Sequence, residues 1–174
     1  SVASTGGSLS LTAGKGGATS YGGNVAIATS RSEQSGAITL NTGESAAQPS
    51  GGISLRTGTS QGSAAGDIYL SSGSSTQLSG NVVMEAGAAS TLTGGAVSIS
   101  SGASTTAQAG KILIGTSNGQ SSSGGISLET GSSFDDSGEV KVQASSSNVG
   151  VGGSIAIQTG NGNQRANDIQ MQAG

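Results

Sequence analysis

SGAITLNTG, residues 35–43, followed by SGGISLRTG, residues 50–58, and AGDIYLSSG, residues 65–73, is the stretch on which the fold reading turns. Each segment carries a small residue, Gly, any residue, and then an aliphatic-x-aliphatic-x-[Thr/Ser/Ala] run closed by Gly. Two aliphatic residues at period two share one face of an extended segment. The unit recurs twelve times, from Leu9 and Leu11 to ANDIQMQAG at residues 166–174. Self-similarity at a short period is the signature of a repeat architecture, and it is read before any single residue.

The aliphatic pairs are Leu9 with Leu11, Val25 with Ile27, Ile38 with Leu40, Ile53 with Leu55, Ile68 with Leu70, Val82 with Met84, Val97 with Ile99, Ile112 with Ile114, Ile126 with Leu128, Val140 with Val142, Ile155 with Ile157, and Ile169 with Met171. First members of successive pairs lie 13 to 16 residues apart. Two positions beyond each pair stands Ala13, Thr29, Thr42, Thr57, Ser72, Ala86, Ser101, Thr116, Thr130, Ala144, Thr159 or Ala173, a column without a large side chain. Two positions before each pair stands a corner residue: Gly7, Gly23, Gly36, Gly51, Gly66, Gly80, Gly95, Gly110, Gly124, Gly138 and Gly153, with Asn167 in the last repeat. Since Asn tolerates positive φ better than most residues, this exception suggests a left-handed backbone at the corner.

These columns predict an all-β protein: a narrow, flattened, parallel β-solenoid of about twelve coils of 13–16 residues, spanning 1–174 as one array. So short a coil leaves room for two strands and two tight corners. The small residues past each first strand, such as Gly16, Ser32, Ser45, Ser60, Ser75 and Ala89, are then expected to face the aliphatic ladder from a second sheet. Twelve coils at ~4.8 Å would make a stiff rod about 55–60 Å long. The irregular loop residues Tyr21, Pro49, Leu78, Leu92, Phe134, Val149 and Val151 are expected to tuck over the coil edge.

The sequence begins and ends in repeat register, with no polar or helical cap. An uncapped strand edge is ready to pair with another chain. The expectation is a segment of a longer array, or a protomer that stacks on copies of itself, end to end or laterally.

Composition narrows the function classes. Aromatic residues make up 2% and charged residues 9% of the 174 positions, and the net charge is −3. With no basic surface to neutralise phosphates, nucleic acid is not an expected partner. No apolar run reaches the ~20 residues of a membrane span, so no membrane insertion is expected. There is no Cys and no His, which removes disulfides, thiolate nucleophiles, imidazole bases and the commonest metal ligands. No enzyme activity, catalytic residue, cofactor or metal is expected.

Short motif matches do not alter that reading. GTSQG at residues 58–62 fits G-x-S-x-G, but a hydrolase of that type needs a His base. Asp135, Asp136 and Glu139 form one local carboxylate cluster. A calcium-binding solenoid would instead place Asp in every repeat. The position between each aliphatic pair varies from Ser10 and Thr39 to Tyr69, Leu113 and Lys141, so it does not form the flat Thr array expected of an ice binder. None of the eight Asn residues begins an N-x-[Ser/Thr] sequon.

The pattern [Ser/Ala/Gly]-Gly-x-aliphatic-x-aliphatic-x-[Thr/Ser/Ala]-Gly, present in all twelve repeats apart from Asn167 and a few Ser replacements of the final Gly, resembles the Gly/Ser-rich tandem β-solenoid segments of large surface proteins. These include bacterial adhesins and extracellular proteins of algae and protists. The resemblance implies a non-enzymatic structural role at the cell surface or outside the cell, as a stalk, fibre shaft or wall component. The alternative is a binding module: an adhesin shaft whose loops contact glycans, or an ice-binding protein. Composition and coil length are also similar to bacterial ice-nucleation proteins, but the recurring G-Y-G-S-T element of that family is missing.

Overall fold

A computed structural model describes residues 6–162 and 168–172. It corrects the principal sequence expectation. Among the described residues there is no helix and no strand, hence no sheet, no second sheet and no β-solenoid. The chain divides into two units, Ser1–Met84 and Glu85–Gly174, each built from the same repeat.

The physical reason lies in the aliphatic pairs. Each repeat supplies only two of them, surrounded by Gly, Ser and Thr, whose backbones lose much conformational freedom on ordering. Stacking such repeats would require the pairs of successive repeats to cover one another. They do not, and no described residue is buried. The inward-facing ladder expected of these residues is therefore corrected at every rung. Of the first members, Leu9 is almost bare, while Val25, Ile38, Ile53, Ile68, Val82, Val97, Ile112, Ile126, Val140, Ile155 and Ile169 are 49–57% exposed. The second members, Leu11, Ile27, Leu40, Leu55, Leu70, Met84, Ile99, Ile114, Leu128, Val142, Ile157 and Met171, are 62–91% exposed. At these exposures none of the pairs forms a core. The accessible surface is 18137 Å². A folded monomer of this mass exposes about 7,500 Å² and its unfolded chain about 24,000 Å², so only about a quarter of the available surface is removed from water.

Hydrogen bonding gives the same answer. A globular chain of this length carries on the order of 170–190 internal hydrogen bonds. Among the described residues there are six backbone–backbone bonds and six involving side chains. Five of these backbone bonds tie the Gly or Ser that closes one segment to the corner Gly of the next, and none is made by the aliphatic residues themselves. An extended segment becomes a strand only when a neighbour pairs with it, and here the backbone groups of these segments face solvent instead.

Local extended geometry is nevertheless retained. Exposure alternates along the segments: Ile68, Tyr69 and Leu70 are 52%, 88% and 70% exposed, and Ile112, Leu113 and Ile114 follow the same order. Ser127 and Glu129, two apart, lie on one side, where the Ser127 hydroxyl donates to the Glu129 carboxylate at 2.6 Å. The period-two reading of the sequence therefore holds within a segment, while the pairing between segments is absent.

The corner glycines also differ from expectation. No described residue, glycine or otherwise, has a positive φ. A left-handed corner is thus not the reason for Gly at these positions. Asn167, the exception that suggests such a corner, lies outside the described residues, as does Ala173. The loop residues expected to tuck over a coil edge point outward, with Tyr21, Phe134, Val149 and Val151 fully exposed.

Candidate functional site: the repeated loop necks

The structure brings together two sequence columns that stand at opposite ends of the repeat, the small residue past each aliphatic pair and the corner glycine before the next. The small residue that ends one aliphatic segment meets the corner glycine that begins the next, closing the intervening residues into a loop. A Cβ built on Gly36 would lie 3.6 Å from the Thr29 Cγ2, and one on Gly95 would lie 3.3 Å from the Ala86 Cβ. The same pairing recurs at Ala13/Gly23, Thr42/Gly51, Thr57/Gly66, Ser72/Gly80, Ser101/Gly110, Thr116/Gly124, Thr130/Gly138 and Ala144/Gly153. Loops whose ends meet in this way are compact surface features. The aliphatic segments serve as spacers between them.

These ten necks fall into two kinds. Where the small residue is Ala or Ser, the neck is closed by a backbone hydrogen bond: the Gly23 N–H donates to the Gly14 carbonyl at 2.8 Å, Gly80 to Gly73 at 3.3 Å, and Gly95 to Gly87, Gly110 to Gly102 and Gly153 to Ser145 each at 2.9 Å. Where the small residue is Thr29, Thr42, Thr57, Thr116 or Thr130, no such bond forms. There the Thr γ-methyl faces the glycine, 3.5 to 3.9 Å from its Cβ direction. A β-branched side chain is stiff at χ1 and cannot swing its methyl aside freely. The Thr methyl thus props the neck open.

Closed necks also explain most of the few residues that are not fully exposed. Ala13, Ala86 and Ala144 at closed necks, together with Gly16 and Thr159, are the only half-buried positions among the described residues. The corner glycine at a closed neck sits in a tight space, since a Cβ on Gly153 would stand 3.2 Å from the Ala144 Cβ and 3.4 Å from the Ser145 carbonyl oxygen.

A third column, three positions beyond the neck residue, shapes the loop interior. Serines there cap the first turn by accepting a backbone N–H: Gln48 donates to Ser45 at 3.3 Å, Ser63 to Ser60 at 3.2 Å, Gln77 to Ser75 at 3.1 Å, Ala107 to Ser104 at 2.9 Å and Gly150 to Ser147 at 2.9 Å. Such side-chain-to-backbone bonds are what make Ser a turn residue. In two loops the position is Gly16 or Gly119, and the chain folds so tightly that a Cβ would run into the carbonyl oxygen of Tyr21 or Ser122. The expectation that Ser45, Ser60 and Ser75 belong to a second sheet is thereby corrected. They are turn caps, and the signal that identifies them is their constant offset from the neck column.

The remaining sequence candidates stay apart. Asp135, Asp136 and Glu139 are exposed and do not gather into a metal-holding group among the described residues. The GTSQG serine, Ser60, caps its turn. No cavity is enclosed among the described residues, and no helix there is long and apolar enough to cross a membrane. The surface therefore offers two kinds of feature: spacers with unpartnered aliphatic pairs, and loops that carry hydroxyls and a few bare apolar side chains. Comparison with family models, curated proteins and solved structures finds no match to this chain.

Proposed function

We propose that this chain is a non-enzymatic structural segment of an extracellular fibre, appendage or surface layer, working in association with copies of itself or with adjacent repeats. The observation that carries the reading is the exposed aliphatic pair, repeated at nearly constant spacing and uncovered within its own chain. Burying apolar surface contributes roughly 25 cal/mol per Å², and here that contribution becomes available when neighbouring copies cover one another's pairs. A chain without His or Cys also lacks the side chains that most often serve as base or nucleophile near neutral pH.

The test is sedimentation followed by electron microscopy of the purified protein in physiological salt across a concentration series. Concentration-dependent assemblies that vanish when Ile112, Ile126 and Val140 are changed to Ser support the proposal. A species that stays monomeric at every concentration removes it.

One observation favours a second reading, a glycan-contacting module. Tyr21 and Phe134, fully exposed in their loops, offer flat apolar faces against which the C–H face of a sugar ring can pack. Glycan binding by the monomer that is lost in Tyr21→Ala and Phe134→Ala would establish that reading instead.

A further inference from the structure

We propose that Asn118 is a site of spontaneous covalent modification, in which the adjoining Gly119 nitrogen converts its side-chain amide to an acid. Asn118 and Gly119 lie in the loop between Thr116 and Gly124, and both are exposed. Neither the Asn118 side chain nor the Gly119 N–H takes part in a hydrogen bond among the described residues. Attack on an asparagine amide by the following backbone nitrogen is limited mainly by the next residue's side chain, which crowds the ring being formed. Here that residue is Gly, and the turn demands it, because a Cβ at 119 would collide with the Ser122 carbonyl oxygen. The tightness of the turn thus fixes the sequence most open to the reaction.

The step balances without oxidant or reductant. The Gly119 nitrogen gives up its proton and bonds to the Asn118 Cγ, and the Cγ–Nδ2 bond breaks with loss of ammonia to leave a five-membered succinimide. Water then adds to one of the two ring carbonyls. Opening at Cγ leaves aspartate, and opening at the α-carbonyl leaves isoaspartate, with the main chain now routed through the side chain. Either product adds a negative charge to a chain of net charge −3. Isoaspartate also lengthens the backbone by one methylene in a turn that leaves no space for even a Cβ at 119, so the turn is expected to change. The loop therefore carries a built-in chemical ageing point.

The chain supplies its own control. Asn148 also lies in an exposed loop, but Val149 follows it, and a β-branched neighbour hinders ring closure. Intact protein is incubated in heavy-oxygen water at mildly alkaline pH, cleaved after Lys and Arg, and followed by mass spectrometry. Residues 112–141 form one peptide in which Asn118 is the sole Asn. Residues 142–165 carry Asn148 together with Asn161 and Asn163, which fragment ions separate; Asn161 precedes Gly162 and reacts by the same rule. The expected result is conversion of Asn118 about tenfold or more faster than Asn148, as unhindered Gly against branched Val requires, with one heavy oxygen incorporated and isoaspartate among the products. Equal rates, or an Asn118 that stays intact while Asn148 converts, would overturn the proposal. The variant Asn118→Gln leaves the turn glycine in place and is expected to abolish conversion in the first peptide; conversion that persists there would also overturn it.

Discussion

The loop between Ala86 and Gly95 and the loop between Thr42 and Gly51 span the same number of residues and yet close differently. In the first, the Gly95 N–H reaches the Gly87 carbonyl at 2.9 Å; in the second, the Thr42 methyl stands in the way and Gly51 makes no such bond. Loop length does not sort the two kinds. Ser72/Gly80 is closed, whereas Thr116/Gly124 and Thr130/Gly138, of equal span, are propped. One methyl group at a fixed position decides whether a neck has a hydrogen bond.

The strongest challenge to this comparison is a methyl group on the corner glycine itself. Gly95→Ala places a Cβ 3.3 Å from both the Ala86 Cβ and the Gly87 nitrogen, so the neck must widen by a few tenths of an ångström and its bond is expected to weaken or break. An intramolecular hydrogen bond contributes about 0.5–1.5 kcal/mol, so amide exchange at residue 95 should speed up by up to about tenfold, read by NMR. Gly51→Ala meets only Thr42, its methyl at 3.6 Å and its Cβ at 3.8 Å, both ordinary contacts, and should leave its loop unchanged. Equal responses at the two sites would show that side-chain crowding does not control closure.

Exchanging the neck residues sharpens the same point with a smaller expected effect. Ala86→Thr should convert a closed neck into a propped one and expose the Gly95 amide. Thr42→Ala should do the reverse and protect the Gly51 amide, each by a few-fold for a bond worth about 1 kcal/mol or less in an exposed loop. Protection that fails to move in either direction would detach the two kinds of neck from the Thr methyl.

The smallest effect is expected from the turn caps. Ser104→Ala removes the acceptor for the Ala107 N–H, in a loop whose neck at Ser101/Gly110 is closed. Ser60→Ala does the same for Ser63 beneath a propped neck. The loss should be about 0.5 kcal/mol in either loop, and slightly more visible by NMR chemical shift where the neck does not hold the ends. Larger shifts in the Ser101/Gly110 loop would make caps and necks interdependent.

Much of the local arrangement can be read directly from the residues. Ile38 and Leu40 share a side because of period two, as do Val97 and Ile99 or Ile126 and Leu128. The assembly of repeats is not legible in the same way. Whether Ile53 and Leu55 cover Ile38 and Leu40 depends on a balance between a small apolar gain per repeat and the ordering cost of all the Gly and Ser around it, and periodicity reports only the first of these. The corner glycines invite an explanation from left-handed backbone, but contact across the neck, invisible in one repeat alone, is what crowds a side chain at Gly95 or Gly153. Ser45, Ser60 and Ser75 read as merely small, because size and hydrogen-bonding capacity coincide in Ser and only the neck column gives their offset a meaning.

A closed neck also keeps chain length out of play. The residues between Ala144 and Gly153 contribute almost nothing to the end-to-end distance while the Gly153 N–H holds the Ser145 carbonyl. Once that single bond yields, about 30 Å of contour becomes available at ~3.3–3.6 Å per residue. A tether built this way would lengthen under load in discrete increments, one loop at a time, and shorten again as each bond re-formed. Its propped loops, having no such bond to break, would extend smoothly before any of the others gave way.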